Sequence, residues 1–128
     1  MILDSSAIIA VMMKEPGYEA LLAKLLSDVT VGVGSATLAE AAIVLSSRLG
    51  VDARPFLSRF LDELSATIVP FGDVHFRIAV DAWLRFGKGR HPAALNFGDC
   101  LSYAVAGAAN EPLLFVGDDF PKTDIAAA

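Results

Sequence analysis

The acidic residues Asp4, Glu40, Asp99, Asp118 and Asp119 are the side chains of this chain best suited to do chemistry together. Hard divalent cations take oxygen ligands, and Mg²⁺ binds only one or two carboxylates while keeping several waters. A cluster of three or four acids would hold one or two such ions. Two ions about 4 Å apart stabilise both the attacking and the leaving oxygen of a phosphodiester displacement. The same acids would repel a bare phosphate, so this chemistry requires the metal.

Each acid also has a plainer reading. Asp4 follows a short apolar run and would serve as a helix N-cap, and Asp118 would serve as a turn residue. Asp99 falls in the first turn of an apolar helix, where a negative charge offsets the helix dipole. Glu40 is harder to explain this way. Its helical neighbours are Ala36, Thr37, Ile43 and Val44, with no base within a turn. A carboxylate buried among them costs several kcal/mol unless it is paired or binds a metal. The alternative is that this face meets solvent beside an apolar patch.

Ahead of Asp99 lies the only dense basic run, with Arg85, Lys88, Arg90 and His91 inside seven residues that also hold two glycines. It reads either as a solvated loop or as a contact for a nucleic-acid backbone, Lys88, Arg90 and His91 being the candidates. The net charge of −5 argues against a nucleic-acid binder, unless acids gathered at one site are offset by cations. Gly32-Val33-Gly34-Ser35 lacks the lysine of a P-loop and the spacing of a dinucleotide fingerprint, and reads as strand-to-helix punctuation. Cys100 has no partner for an internal disulfide and no zinc-like context, so it reads as a small buried hydrophobe. Trp83, Phe56 and Phe60 read as core or dimer contacts.

The elements that must position these groups follow from periodicity. A run at 1–3 reads as a strand, followed by a helix over 7–13 capped by Ser5 or Ser6. Pro16-Gly17 breaks it before a helix over 18–27. Residues 29–33 alternate as a strand. Ser35 or Thr37 caps a helix running to Leu49, which Gly50 ends. A helix over 54–64, a strand over 67–69, a helix over 74–86 and a loop over 87–92 come next. Asn96 or Gly98 opens a helix to Ala109, 113–116 is a strand, and Ile125 begins a last short one. Short apolar strands alternating with helices predict a three-layer α/β/α sandwich around a short, mostly parallel sheet. In such sheets ligands bind at the carboxyl ends of the strands. With 128 residues, 55% of them hydrophobic, the chain suits one domain spanning 1–128. No run reaches the roughly 18 to 20 apolar residues of a membrane span, and no basic leader precedes Asp4. A cytoplasmic protein with no membrane partner is expected.

The same segments resemble a known family. Met1-Ile2-Leu3-Asp4-Ser5-Ser6-Ala7 looks like the opening of a PIN domain, and Thr37-Leu38-Ala39-Glu40 like its second acidic motif. Gly87-Lys88-Gly89-Arg90-His91, followed by Leu95-Asn96-Phe97-Gly98-Asp99-Cys100, is similar to the third motif of VapC-type ribonuclease toxins. Leu113-Leu114-Phe115-Val116-Gly117-Asp118-Asp119-Phe120 and Thr123-Asp124-Ile125 look like that family's C-terminal end. The resemblance implies a Mg²⁺-dependent endoribonuclease, with Mn²⁺ able to substitute, that cuts RNA with metal-activated water. It also implies a homodimer and a VapB-like antitoxin as partner. On it, Asp4 and Asp99 ligate metal and Glu40 ligates it or orients its water. The fourth acidic position stays open between Asp118 and Asp119, and Asp124 is structural. Two rivals remain: a PIN module that only binds a partner, and a haloacid-dehalogenase-like phosphatase. The latter wants an acid two residues after Asp4, where Ser6 stands.

Overall fold

The computed structural model describes residues 1–27 and 30–128. The strands among them are β1 (Ile2–Leu3), β2 (Gly32–Gly34), β3 (Thr67–Val69) and β4 (Leu113–Leu114). The α-helices are α1 (Ser5–Met12), α2 (Tyr18–Leu25), α3 (Ser35–Leu49), α4 (Arg54–Glu63), α5 (Asp73–Phe86) and α6 (Phe97–Ala109). The strands form one sheet in the order β3-β2-β1-β4, every pair parallel, with Leu3 opposite Val33 and Leu114.

Successive side chains on a strand point to opposite faces. Leu3 and Leu114 therefore enter the core on one side, with Ile8, Val33, Leu45 and Leu57. Ile2 and Leu113 enter the core on the other side, with Ala82, Leu95, Ala104 and Val105. This produces the three layers that the alternation predicts. Each fully buried Leu or Ile contributes about 1.5–3 kcal/mol. Helix α6 is the most enclosed element, with every residue from Cys100 to Ala106 buried, and α5 packs along it.

Most expected elements stand within two residues of their places, and the differences have local causes. The first helix is capped by Asp4 rather than by Ser5 or Ser6, its carboxylate accepting the Ser6 backbone N–H. Helix α3 starts at Ser35 with Gly34 as a cap lacking any side-chain bond, and Gly50 ends it at φ +70°. Asn96, not Gly98, caps α6. The strand expected over 113–116 stops at Leu114, and the one at Ile125 is only a single bridge between Leu113 and Ala127. Of the strand expected over 29–33, Val29 lies outside the described residues. Cys100 is buried, as expected, whereas Trp83 and Phe56 are 42% and 51% exposed and are not core. Among the described residues no helix is long and apolar enough to cross a membrane.

The Gly32-Val33-Gly34-Ser35 turn is punctuation with a packing reason. A Cβ on Gly34 would come 2.8 Å from Cγ2 of Val105 on α6. Gly34→Ala should therefore lower the unfolding free energy by about 1–3 kcal/mol, measured as a drop in the urea midpoint at unchanged slope. Wild-type stability in that variant would mean that α6 yields freely at this contact.

Candidate functional site

Because all four strands run parallel, their carboxyl ends share one edge of the sheet, and the acids gather there. Asp4 directly follows β1 and is 4% exposed. Its Oδ2 accepts the Ser6 backbone N–H at 3.0 Å and the Ser6 hydroxyl, while Oδ1 accepts the Ser102 hydroxyl at 2.5 Å. The Ser6 hydroxyl oxygen also accepts the Val116 N–H at 3.0 Å, tying the chain after β4 to the start of α1.

Asp99 is the third residue of α6 and makes a capping box with Asn96. Its backbone N–H donates to the Asn96 side chain at 2.9 Å, and its carboxylate accepts the Asn96 N–H at 3.0 Å. Glu40, one turn into α3, is partly buried, and its carboxylate lies against the bare Cα of Gly98. Any Cβ at Gly98 would collide with it. Glycine at 98 thus lets the Glu40 carboxylate of α3 reach the start of α6, next to Asp99 in the chain.

The electrostatics bear the mark of this crowding. The Asp99 carboxyl is pushed up to about 6, first by burial, then by the charges of Asp4, Asp119 and Glu40, against the lowering effect of the Asn96 N–H. Asp119 acts on Asp99 in this way. Asp118 is exposed beyond the Gly117 turn and does not figure among the causes. Among the described residues no lysine or arginine pairs with Asp4, Glu40, Asp99 or Asp119. Carboxylates this close without a counter-charge suit a hard cation. Among the described residues no three His, Cys, Asp or Glu side chains stand close enough together to hold a metal ion between them. An ion here would rest on one or two carboxylates and keep several waters, as Mg²⁺ does.

The basic run is more occupied than its sequence suggests. Arg85 is bound to Asp124 at 2.8 Å, and Asp124 also accepts the Tyr103 hydroxyl at 2.6 Å. Those two partners hold Asp124 below the usual carboxylate range, and burial, then Asp124, push Tyr103 up to about 12. Asp124 is therefore a structural tie between the C-terminal segment and α5–α6, and it removes Arg85 from any phosphate role. Arg90 donates to the Leu84 carbonyl at 3.1 Å and lies over the Trp83 ring at 5.0 Å. His91 Nδ1 accepts the Ala93 N–H at 3.0 Å. The exposed Lys88 has no such side-chain bond among the described residues. Backbone pairing of Gly87 with Leu95 holds the loop at the N-terminus of α6.

Sequence reasoning missed Ser102. Its signal was present: it stands three residues after Asp99 on the same helical face, the only serine of a largely apolar helix. Cys100, also on α6, has its thiol pushed up to about 11 by burial and by the Asp99 charge, which makes it a poor nucleophile.

The sign of the Asp99 effect is testable. Its folded-state value lies above the ordinary 3.8, so its contribution to stability is fully present below about pH 4 and is lost as pH rises through about 6. Asp99→Asn keeps an acceptor for the Asn96 N–H but cannot ionise. In EDTA at pH 8 the variant should melt about 3 °C above wild type, since roughly 1 kcal/mol moves the Tm of a domain this size by a few degrees. By pH 4 the gap should close. A gap that is independent of pH would show that repulsion at Asp99 is not its origin.

Comparison with known proteins identifies the family of this chain. The PIN domain family model matches residues 1–126. Ribonuclease VapC36 of Mycobacterium tuberculosis is 44% identical over 126 residues, covering 98% of this chain and 91% of that protein. Ribonuclease VapC of Mycolicibacterium smegmatis is 39% identical over 127 residues, covering 99% of this chain and 98% of the relative. Among solved structures, the M. tuberculosis toxin VapC20, which cleaves the sarcin–ricin loop, superposes with a TM-score of 0.73 at 16% identity, covering 99% of this chain and 97% of the other. A toxin–antitoxin complex from Klebsiella pneumoniae gives 0.72 at 15% identity, covering 99% and 95%. The last two show likeness of fold. Together with the near-complete family match and the identity to the VapC ribonucleases, they establish that this chain belongs to the PIN-domain family, in its VapC ribonuclease branch.

Proposed function

We propose that this chain is the toxin ribonuclease of a toxin–antitoxin pair and cuts RNA with a divalent cation, Mg²⁺ by preference and Mn²⁺ as a substitute, held by Asp4, Asp99 and Glu40. The observation that carries the reading is the uncompensated carboxylate cluster, in which Asp99 rises to about 6 beside Asp4, Asp119 and Glu40. When bound, the cation supplies activation of water and neutralises charge on the phosphodiester. The protein's own groups prepare for it. Asp4 is locked by three donors, Asp99 is fixed by its capping box, and Glu40 is set against Gly98. Asp99 must release its proton to ligate, which ties ion binding to pH in the range around 6. Of the two acids after β4, Asp119 is the better fourth member, because its charge reaches Asp99; Asp118 is assigned a place at the rim of the site.

Lys88 is the best placed of the basic loop to meet a phosphate. Arg90 and His91 would contribute while keeping their contacts to Leu84 and Ala93. The names of the relatives support RNA as substrate, and the complex from Klebsiella supports an antitoxin as partner. The reading takes 1–128 as one PIN domain acting in the cytoplasm. A module that binds without cutting is disfavoured by the relatives, which are named as ribonucleases. The phosphatase reading lapses with the family assignment, and Ser6 spends its hydroxyl on Asp4.

The decisive experiment is RNA cleavage by the purified chain in Mg²⁺. EDTA should abolish it, and Asp4→Asn and Asp99→Asn should each lower it by more than about 100-fold with the fold intact, since lesser changes around metal ligands already cost 10- to 100-fold. Full activity in either variant would remove that residue from the site.

The homodimer has its own support. Ile43, Phe76, Val80, Trp83 and Phe97 are all more than 40% exposed and line one apolar groove of about 900 Å³ between α3, α5 and the start of α6. Phe76→Glu should turn the dimer into a monomer, read as a halving of mass by light scattering. A mass unchanged by this substitution would place the interface elsewhere.

A further inference from the structure

We infer that Ser102, backed by Thr37, is a positioning residue that sets the Asp4 carboxylate for cation binding; the inference rests on the metal-dependent reading above. Ser102 is 1% exposed and Thr37 is 2% exposed, and their hydroxyl oxygens are 3.2 Å apart. A serine hydroxyl carries one proton, and an ionised carboxylate only accepts. Ser102 must give its proton to Asp4 Oδ1, and it therefore accepts from Thr37. The direction of the whole relay, Thr37 to Ser102 to Asp4, is fixed by the carboxylate at its end. The 2.5 Å Ser102–Asp4 separation is that of a strong, charge-assisted bond.

The placement of the relay is what makes it more than packing. Ser102 is one turn after Asp99 on α6, and Thr37 is one turn before Glu40 on α3. Each helix that carries an acid thus also contributes a hydroxyl, and the two hydroxyls join both helices to the carboxylate at the end of β1. Three acids that repel one another are held in register by bonds only one helical turn away from each. The relay also settles which oxygen of Asp4 is available. A carboxylate has about four acceptor positions. Ser6 fills two on Oδ2 and Ser102 fills one on Oδ1, which leaves the remaining position on the oxygen that Ser102 orients. Without Ser102 that oxygen loses its fixed direction while the repulsion from Asp99 and Glu40 persists.

The test compares the full chain with Ser102→Ala, Thr37→Val and Thr37→Ser. Two quantities are read for each: Mn²⁺ affinity without RNA, by electron paramagnetic resonance, and the Mg²⁺ concentration that half-saturates cleavage. Ser102→Ala should weaken Mn²⁺ binding about 10- to 100-fold, the range for residues that orient metal ligands. It should raise the Mg²⁺ requirement by the same factor and leave the KM for RNA unmoved. Thr37→Val, which keeps the shape of the side chain and leaves Ser102 in place, should act in the same direction but less, and Thr37→Ser should match wild type. If Ser102→Ala does not fold, Thr37→Val against Thr37→Ser carries the decision. Wild-type Mn²⁺ affinity in folded Ser102→Ala, with Asp99→Asn impaired, overturns this inference alone. Failure of the wild-type chain itself to bind Mn²⁺ overturns the metal reading, and the inference with it.

Discussion

The burial of Asp99 beside other carboxylates is the constraint on which the site of this structure depends. Asp4, Glu40, Asp99 and Asp119 come from four separate stretches of chain, yet burial of Asp99, and then the charges of the other three, raise its proton affinity. Nothing about the individual acids favours such a gathering. It persists because each is fixed by bonds made for other reasons as well. Asp4 is the N-cap of α1, and Asp99 is half of a capping box. Stabilising a helix terminus and presenting a ligand are here the same set of hydrogen bonds. A substitution at either position therefore touches stability and site at once, with opposite signs where repulsion outweighs the cap.

The parallel sheet makes this economy workable. Its strands are only two or three residues long, too short to be stable alone, and they are held by the two cores that flank them. Brevity has a use. Each strand delivers its chain to the same edge with little freedom, so Asp4 emerges directly from β1 and the 118–119 pair emerges from β4 after one turn. The close approaches of Gly34 to Val105 and of Gly98 to Glu40 then set how near α3 and α6 come to that edge. The missing Cβ at Gly98 leaves the room that the Glu40 carboxylate occupies, and the missing Cβ at Gly34 leaves room for Val105.

Much of this was legible in the sequence, because periodicity and punctuation are local signals. Gly50, Pro16-Gly17 and Asn96 mark helix ends through backbone preferences that hold in any context, and the β/α alternation is enough to imply parallel strands sharing an edge. Glu40 stood out because an acid among Ala, Ile and Val has no local explanation. What was not legible depends on partners distant in the chain. Ser102 and Asp4 are 98 residues apart, and a single serine in an apolar helix does not announce its acceptor. The same limit applies to Arg85, which reads as part of a basic run until the fold brings Asp124 to it. The choice of Asp4 over Ser5 and Ser6 as N-cap turned on where the first strand ends, a boundary that one residue of uncertainty is enough to obscure.

The negative net charge, which first argued against an RNA enzyme, takes a different meaning once the acids are located. Five of the fifteen acidic residues are Asp4, Glu40, Asp99, Asp118 and Asp119, and the other ten balance the ten lysines and arginines. The excess charge is thus the size of the site itself. Arg85 is tied to Asp124, and Arg54, Arg59 and Arg77 each sit beside a carboxylate, so much of the chain's positive charge is already matched. Attraction of RNA must then come largely from the cation or from a second protein surface. A bound divalent ion converts the most repulsive patch into the most attractive one, so that on this reading binding and catalysis are switched on by the same event.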